Sequence, residues 1–231
     1  MTDFSLLDWL ALAFFALSWL GYQFAAERTS SRRPSLNVLM NEQRRRWMQQ
    51  MVVRDNRVFD VLTNAGVQNG TAFFASTSLL AIGAALALLQ STDDAVRLLT
   101  DMPFGLATSR VAWELKVIGL AMIFTYAYFK FSWSYRLSNY AAILMGATPI
   151  AESEASAMAH QAAAMNIVAG RHLTRGLQAF FFALGYLGWF IGPWVFIGST
   201  AIVLVVVWRR QFASDALTAI TEPAKAQDRL P

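Results

Sequence analysis

Cysteine is absent from the 231 residues, which excludes disulfides, Cys-ligated zinc, iron–sulfur clusters and thiol catalysis. Histidine is nearly absent. His160 and His172 fall about 120° apart on a continuous helix, so they do not form a ligand pair, and Glu152 and Glu154 share no helical face with His160. No metal and no cofactor is therefore expected. Phosphate-binding glycine loops, a GxSxG elbow and HExxH are missing as well, so no catalytic residue can be named and enzymatic activity is not the expected role. Charge is the other scarcity: 15% of residues are charged and 56% are hydrophobic, against about 25% charged in soluble domains. Such a chain cannot keep a polar exterior around a buried core.

What is present is a set of long apolar blocks. A hydrocarbon core about 30 Å thick needs about 20 apolar residues of helix, and four blocks qualify: 6–26, 70–89, 111–135 and 177–207. The expected fold is an all-α integral membrane helical bundle, a single domain over 1–212. Trp9, Trp113, Trp133, Tyr135 and Trp208 stand near block ends, where amphipathic rings favour the headgroup level. The first block has no basic segment before it and no cleavage signature, so it reads as a retained helix.

The net charge is +4, and its distribution indicates topology rather than nucleic acid. Residues 27–69 hold eight arginines (28, 32, 33, 44, 45, 46, 54 and 57) and four acids. Residues 90–110 hold two arginines and three acids. The first connection is expected in the cytoplasm and the N-terminus outside. The fourth block is longer than a straight crossing needs, since 31 residues would run about 46 Å against a hydrocarbon core of about 30 Å. Two readings stand. One is a helical hairpin turning at Gly192–Pro193, which keeps Arg175, Arg209 and Arg210 on one side; the other is a single helix kinked at Pro193.

Two connections carry helices of their own. Residues 36–62 place Met40, Trp47, Met51, Val58 and Leu62 at spacings of seven and four, with Arg44, Arg45, Arg46, Arg54 and Arg57 mostly off that stripe. This reads as an amphipathic cytoplasmic helix, either lying on anionic headgroups or packed on the bundle. Residues 150–172 form an alanine-rich cytoplasmic helix with acids in its first turns. Residues 213–231 read as a disordered tail.

Charges inside the third block are the candidate functional residues. Glu114 and Lys116 point to different sides of their helix, whereas Lys116 and Lys130 share a face about 21 Å apart. Lys130 reads first as a boundary lysine, with an ion pair to Glu27 as an alternative. The sharper reading joins Glu114, Lys116, Lys130 and Arg136 into one stripe that binds an anion or relays protons. Small residues, Thr77, Ala81, Gly83, Ala85 and Ala87 in the second block and Gly188 and Gly192 in the fourth, suit close helix packing or self-association.

"QNGTAFFASTSLLAIGAALALL" (68–89), "WELKVIGL" (113–120), "KFSWSYRLSNY" (130–140), "GATP" (146–149) and "RRRWMQQMVVRDNRVFD" (44–60) together resemble a bacterial family of small multi-pass membrane proteins known as a domain of unknown function. The resemblance covers nearly the whole chain except the tail. It implies an inner-membrane protein with four spans, and it brings no substrate, cofactor or catalytic residue. The functions to weigh are an oligomeric channel or transporter for a small ion or solute, an accessory or scaffold subunit of a membrane complex, and a lipid-acting enzyme. The expected partners are the bilayer and either further copies or a membrane complex.

Overall fold

The computed structural model describes residues 4–27, 34–100, 109–150 and 154–221, and among them there is no strand. Helix α1 is Leu6–Glu27, α2 Leu36–Val52, α3 Val58–Gln90, α4 Thr92–Thr100, α5 Arg110–Ala147, α6 Ala155–Tyr186, α7 Gly188–Ile191, α8 Pro193–Phe212 and α9 Asp215–Thr221. Four helical segments are long and apolar enough to cross a membrane: Leu6–Ala26, Val58–Gln90, Arg110–Ala147 and Pro193–Thr221. The chain is a membrane protein with an all-α bundle.

Helix α5 lies at the centre, packed between α3 and α6, while α8 packs on α6 and α1 packs on α8. Because lipid is as apolar as leucine, these contacts rest on close fit rather than on escape from water. Glycines supply the fit where helices touch. A Cβ on Gly176 of α6 would stand 2.5 Å from the Phe131 ring of α5, and one on Gly119 of α5 would collide with the Tyr186 hydroxyl. Rings fill the remaining space. Phe182 stacks on Trp19 at 5.7 Å, and Phe15 meets Phe182, Tyr186 and Phe196 at 5.8, 5.5 and 5.2 Å.

At Gly192 the chain turns back. Ser199 Oγ of α8 donates to the Gly185 carbonyl of α6, and a Cβ on Gly188 would lie 2.9 Å from the Val195 carbonyl oxygen. Residues 185–188 therefore face 195–200 antiparallel, with Pro193 opening α8 where its missing N–H costs nothing. Of the two sequence readings, the hairpin is the one observed. Since backbone cannot swing aside as a side chain can, Gly188→Ala should lower stability by about 2 kcal/mol, read as a fall in the thermal midpoint in detergent.

Several boundaries differ from expectation. The amphipathic helix expected over 36–62 ends at Val52, and 58–62 already belong to α3. Its apolar face is also shifted: Met48 and Met51 are buried, whereas Met40, Val58 and Leu62 are exposed. Arg57 explains the break, because its guanidinium donates to the carbonyls of Met145, Thr148 and Pro149 at the end of α5, while Asn56 Oδ1 accepts from Val58 N at 2.9 Å. The alanine-rich helix and the first part of the fourth block are one helix, α6. Within the tail read as disordered, 215–221 is helical as α9. Residues 222–231, Arg28, Arg32, Arg33 and Glu152, and the side chain of Glu27 with its expected ion pair, lie outside the described residues.

At about 50, 57 and 48 Å, α3, α5 and α6 outrun the hydrocarbon layer. Their excess lies at the arginine-rich end, where α2 packs on α5 and α6 through a second core of Met48, Met51, Ala141, Met145, Ala159, Ala162 and Ala163. The alanines let the α2 methionines approach the α6 backbone closely.

Candidate functional site

The methionine–alanine contact aims one arginine. Arg44 is one turn before Met48 on the same face of α2, so seating Met48 carries Arg44 to α6. Its guanidinium lies over Gly170, where a Cβ would be 2.7 Å from the guanidinium carbon, and it donates to Asn41 Oδ1 at 2.9 Å. On α6 the spacing of Arg171, Thr174, Arg175 and Gln178 puts all four on one face. Together with Gln23 near the end of α1, these residues wall a cavity of about 220 Å³, many times the roughly 10–15 Å³ that one water needs.

The described part of the lining is polar and basic. Among the described residues it holds three arginines and no carboxylate. Burial takes the Arg44 guanidinium from water and moves its pKa below the ordinary arginine value, although the group stays charged at any physiological pH. Gln178 is buried, and its Oε1 finds no hydrogen-bond partner among the described residues. The partly dehydrated Arg44 guanidinium marks a place where a bound anion would lower the free energy, whereas Gln178 Oε1 is an acceptor and calls for a donor. Guanidinium forks match the oxygens of phosphate and carboxylate.

The four charges of the expected stripe engage four different sets of partners. Glu114 accepts from Arg110 Nε at 2.9 Å, and Arg110 also reaches Asp93 of α4 at 3.0 Å. Lys116 is buried and donates to the Trp189 carbonyl at 2.9 Å. It thereby serves an acceptor left open where α7 ends, and Trp189 Nε1 in turn donates to Asp8 at 2.8 Å. Lys130 stands over the Tyr126 ring at 4.9 Å. Arg136 donates to the Tyr140 hydroxyl at 2.7 Å and stacks on Trp133.

The expected basic helix divides likewise. Arg44 lines the cavity, Arg45 and Arg46 pair with Glu42 at the surface, Arg54 binds Asp60, and Arg57 holds the α5 terminus. Among the small residues, Ala85 is buried against Trp113 and Val117, and Gly188 seats α8. Thr77 and Ala81 are half-buried, and Gly83 and Ala87 are exposed, with open space around Gly83. Gly192 is the turn of the hairpin. The cavity residues Gln23, Asn41, Thr174 and Gln178 were not singled out from sequence, although the polar face of "RHLTRGLQ" carried a signal for the last two. No cluster of three metal-ligating side chains occurs among the described residues.

A family model described as "Protein of unknown function, DUF599" matches residues 10–216. The chain belongs to that family. The match takes in α2 to α8 whole and most of α1, and with them the cavity and the hairpin. No curated protein and no solved structure matches the chain.

Proposed function

We propose that this DUF599 member binds a small phosphate-type anion at the cytoplasmic mouth of an inner-membrane bundle, as the binding step of a transport-type activity. The N-terminus lies outside, and α1, α3, α5, the second half of α6, and α8 make five crossings, which brings the arginine-rich ends to the cytoplasmic side. The observation that carries the reading is the Arg44 guanidinium held half-buried over Gly170, at a cavity that Arg171 and Arg175 also line. Arginines drawn to the cytoplasm by topology alone would spread over the surface. Here one of them is held in a partly buried place that costs hydration, and an anion would offset that cost. The charged groups among the described lining residues are arginines, which suit holding an anion and so support binding over acid–base chemistry on lipid.

The test is calorimetric titration of the purified protein with inorganic phosphate, and with chloride for comparison. Arg44→Gln and Arg171→Gln should each weaken phosphate binding about tenfold, one charge-assisted hydrogen bond being worth about 1.5–3 kcal/mol. Equal affinity in both variants and the parent would sink the reading. Phosphate flux into proteoliposomes then separates transport from binding alone.

A further inference from the structure

A second concavity adjoins the first. Helix α1 leans on α8 and stands off from α5, touching it through Trp19 and Gln23 against Tyr126. The space between them is an apolar groove of about 580 Å³, floored by Tyr186 and Trp189. Along α1 it runs from Asp8 to Gln23, about 22 Å at the helical rise, and it opens toward lipid. Gln23 lines both the groove and the arginine cavity. The two meet at Gln23, whose amide donates to the Tyr126 hydroxyl at 3.4 Å between them, so an apolar groove along the bilayer abuts a basic cavity at its end.

From this juxtaposition we infer that the occupant is an anionic phospholipid, its phosphate in the arginine cavity and one acyl chain in the α1–α5 groove, with Gln23 at the neck between them. The inference rests on the anion-binding reading and names the class of molecule that brings the anion. Depth agrees with it. Counting back from the Gly192 turn, Arg175 and Arg171 lie about 25 and 31 Å along the helix axis, which is the hydrocarbon thickness. The cavity is therefore level with the headgroups of the leaflet whose chains the groove faces. A free phosphate would need only the cavity; the groove would then be a cleft with no matching ligand. Basic pockets between transmembrane helices at the cytoplasmic face are suited to phosphate headgroups, and the volume of the groove falls in the range of ligand sites.

The experiment uses the full-length protein in nanodiscs and in detergent. Native mass spectrometry would follow retention of added phosphatidylglycerol against phosphatidylcholine, and calorimetry would follow soluble glycerol 3-phosphate. Ala16 is exposed at the groove wall, so Ala16→Phe fills the groove without disturbing the core. It should cut phosphatidylglycerol retention about threefold, the worth of several lost carbon–carbon contacts at about 0.1–0.2 kcal/mol each, and leave glycerol 3-phosphate binding unchanged. Arg44→Gln should weaken both. If Ala16→Phe leaves lipid retention intact while Arg44→Gln still weakens glycerol 3-phosphate, the lipid inference is overturned and the anion site stands. If Arg44→Gln affects neither, both fall. Equal retention of the two phospholipids would also overturn the inference.

Discussion

Phe182→Ala should be among the most damaging single truncations in the bundle, at about 3 kcal/mol. Phe182 has no exposed surface and touches Phe15, Trp19 and Tyr22, three rings of α1. In water a buried Phe→Ala change costs about 3–5 kcal/mol. The lower end applies here, because lipid rather than water surrounds the bundle and mainly the packing component is lost. The consequence is directional: α1 has few backbone contacts with α6, so these rings are its hold on that helix. The lack of cysteine makes a clean probe available. A single cysteine at Ala11, fully buried in the parent, should react slowly with a lipid-soluble maleimide and several-fold faster in the Phe182→Ala background. An unchanged thermal midpoint and labelling rate would mean that α1 is held by α8 alone.

The same α1–α6 contact shows where sequence reading succeeds and where it stops. Apolar length alone located the first, second and third spans, because the thickness of a bilayer imposes a minimum that no soluble helix needs to meet. Gly192–Pro193 was legible as a break, since proline cannot donate within a helix, but the length of the block left a hairpin and a kinked span both open. The start of α6 was legible as the alanine-rich helix, but its continuation into the fourth block was not. Arg171 and Arg175 look like the flank of a span in one dimension, yet in the structure they lie within a continuous helix and face a cavity. Partners far apart in sequence were equally hidden. Lys116 serves the Trp189 carbonyl and Arg57 serves the end of α5, and neither pairing leaves a periodic trace. Arg44 was visible only as one of a run of arginines; the seating of Met48 against alanines singles it out.

Asp60→Ala tests whether that seating depends on the turn between α2 and α3. Asp60 is fully buried at the start of α3, and one carboxylate oxygen accepts both Trp47 Nε1 at 2.5 Å and Arg54 Nη1 at 2.6 Å. It therefore ties the last turns of α2 to the first turn of α3. Truncation would strand the Trp47 donor and the half-buried Arg54, whose side chain is 38% exposed. Breaking a fully buried pair costs about 3–5 kcal/mol; partial hydration of Arg54 reduces the expected loss to about 2–3 kcal/mol. Asp60→Asn keeps an acceptor for Trp47 and should lose about half as much. Arg54→Ala should cost at least as much as Asp60→Asn, because it leaves a buried carboxylate with the indole as its remaining partner. Loosening this clip also frees α2, so Asp60→Ala should weaken phosphate binding although Asp60 is outside the cavity lining. Adding phosphate should then raise the melting midpoint of Asp60→Ala less than that of the parent. An equal rise in both would show that Met48 and Met51 hold Arg44 over Gly170 by themselves, and that the carboxylate serves the turn alone.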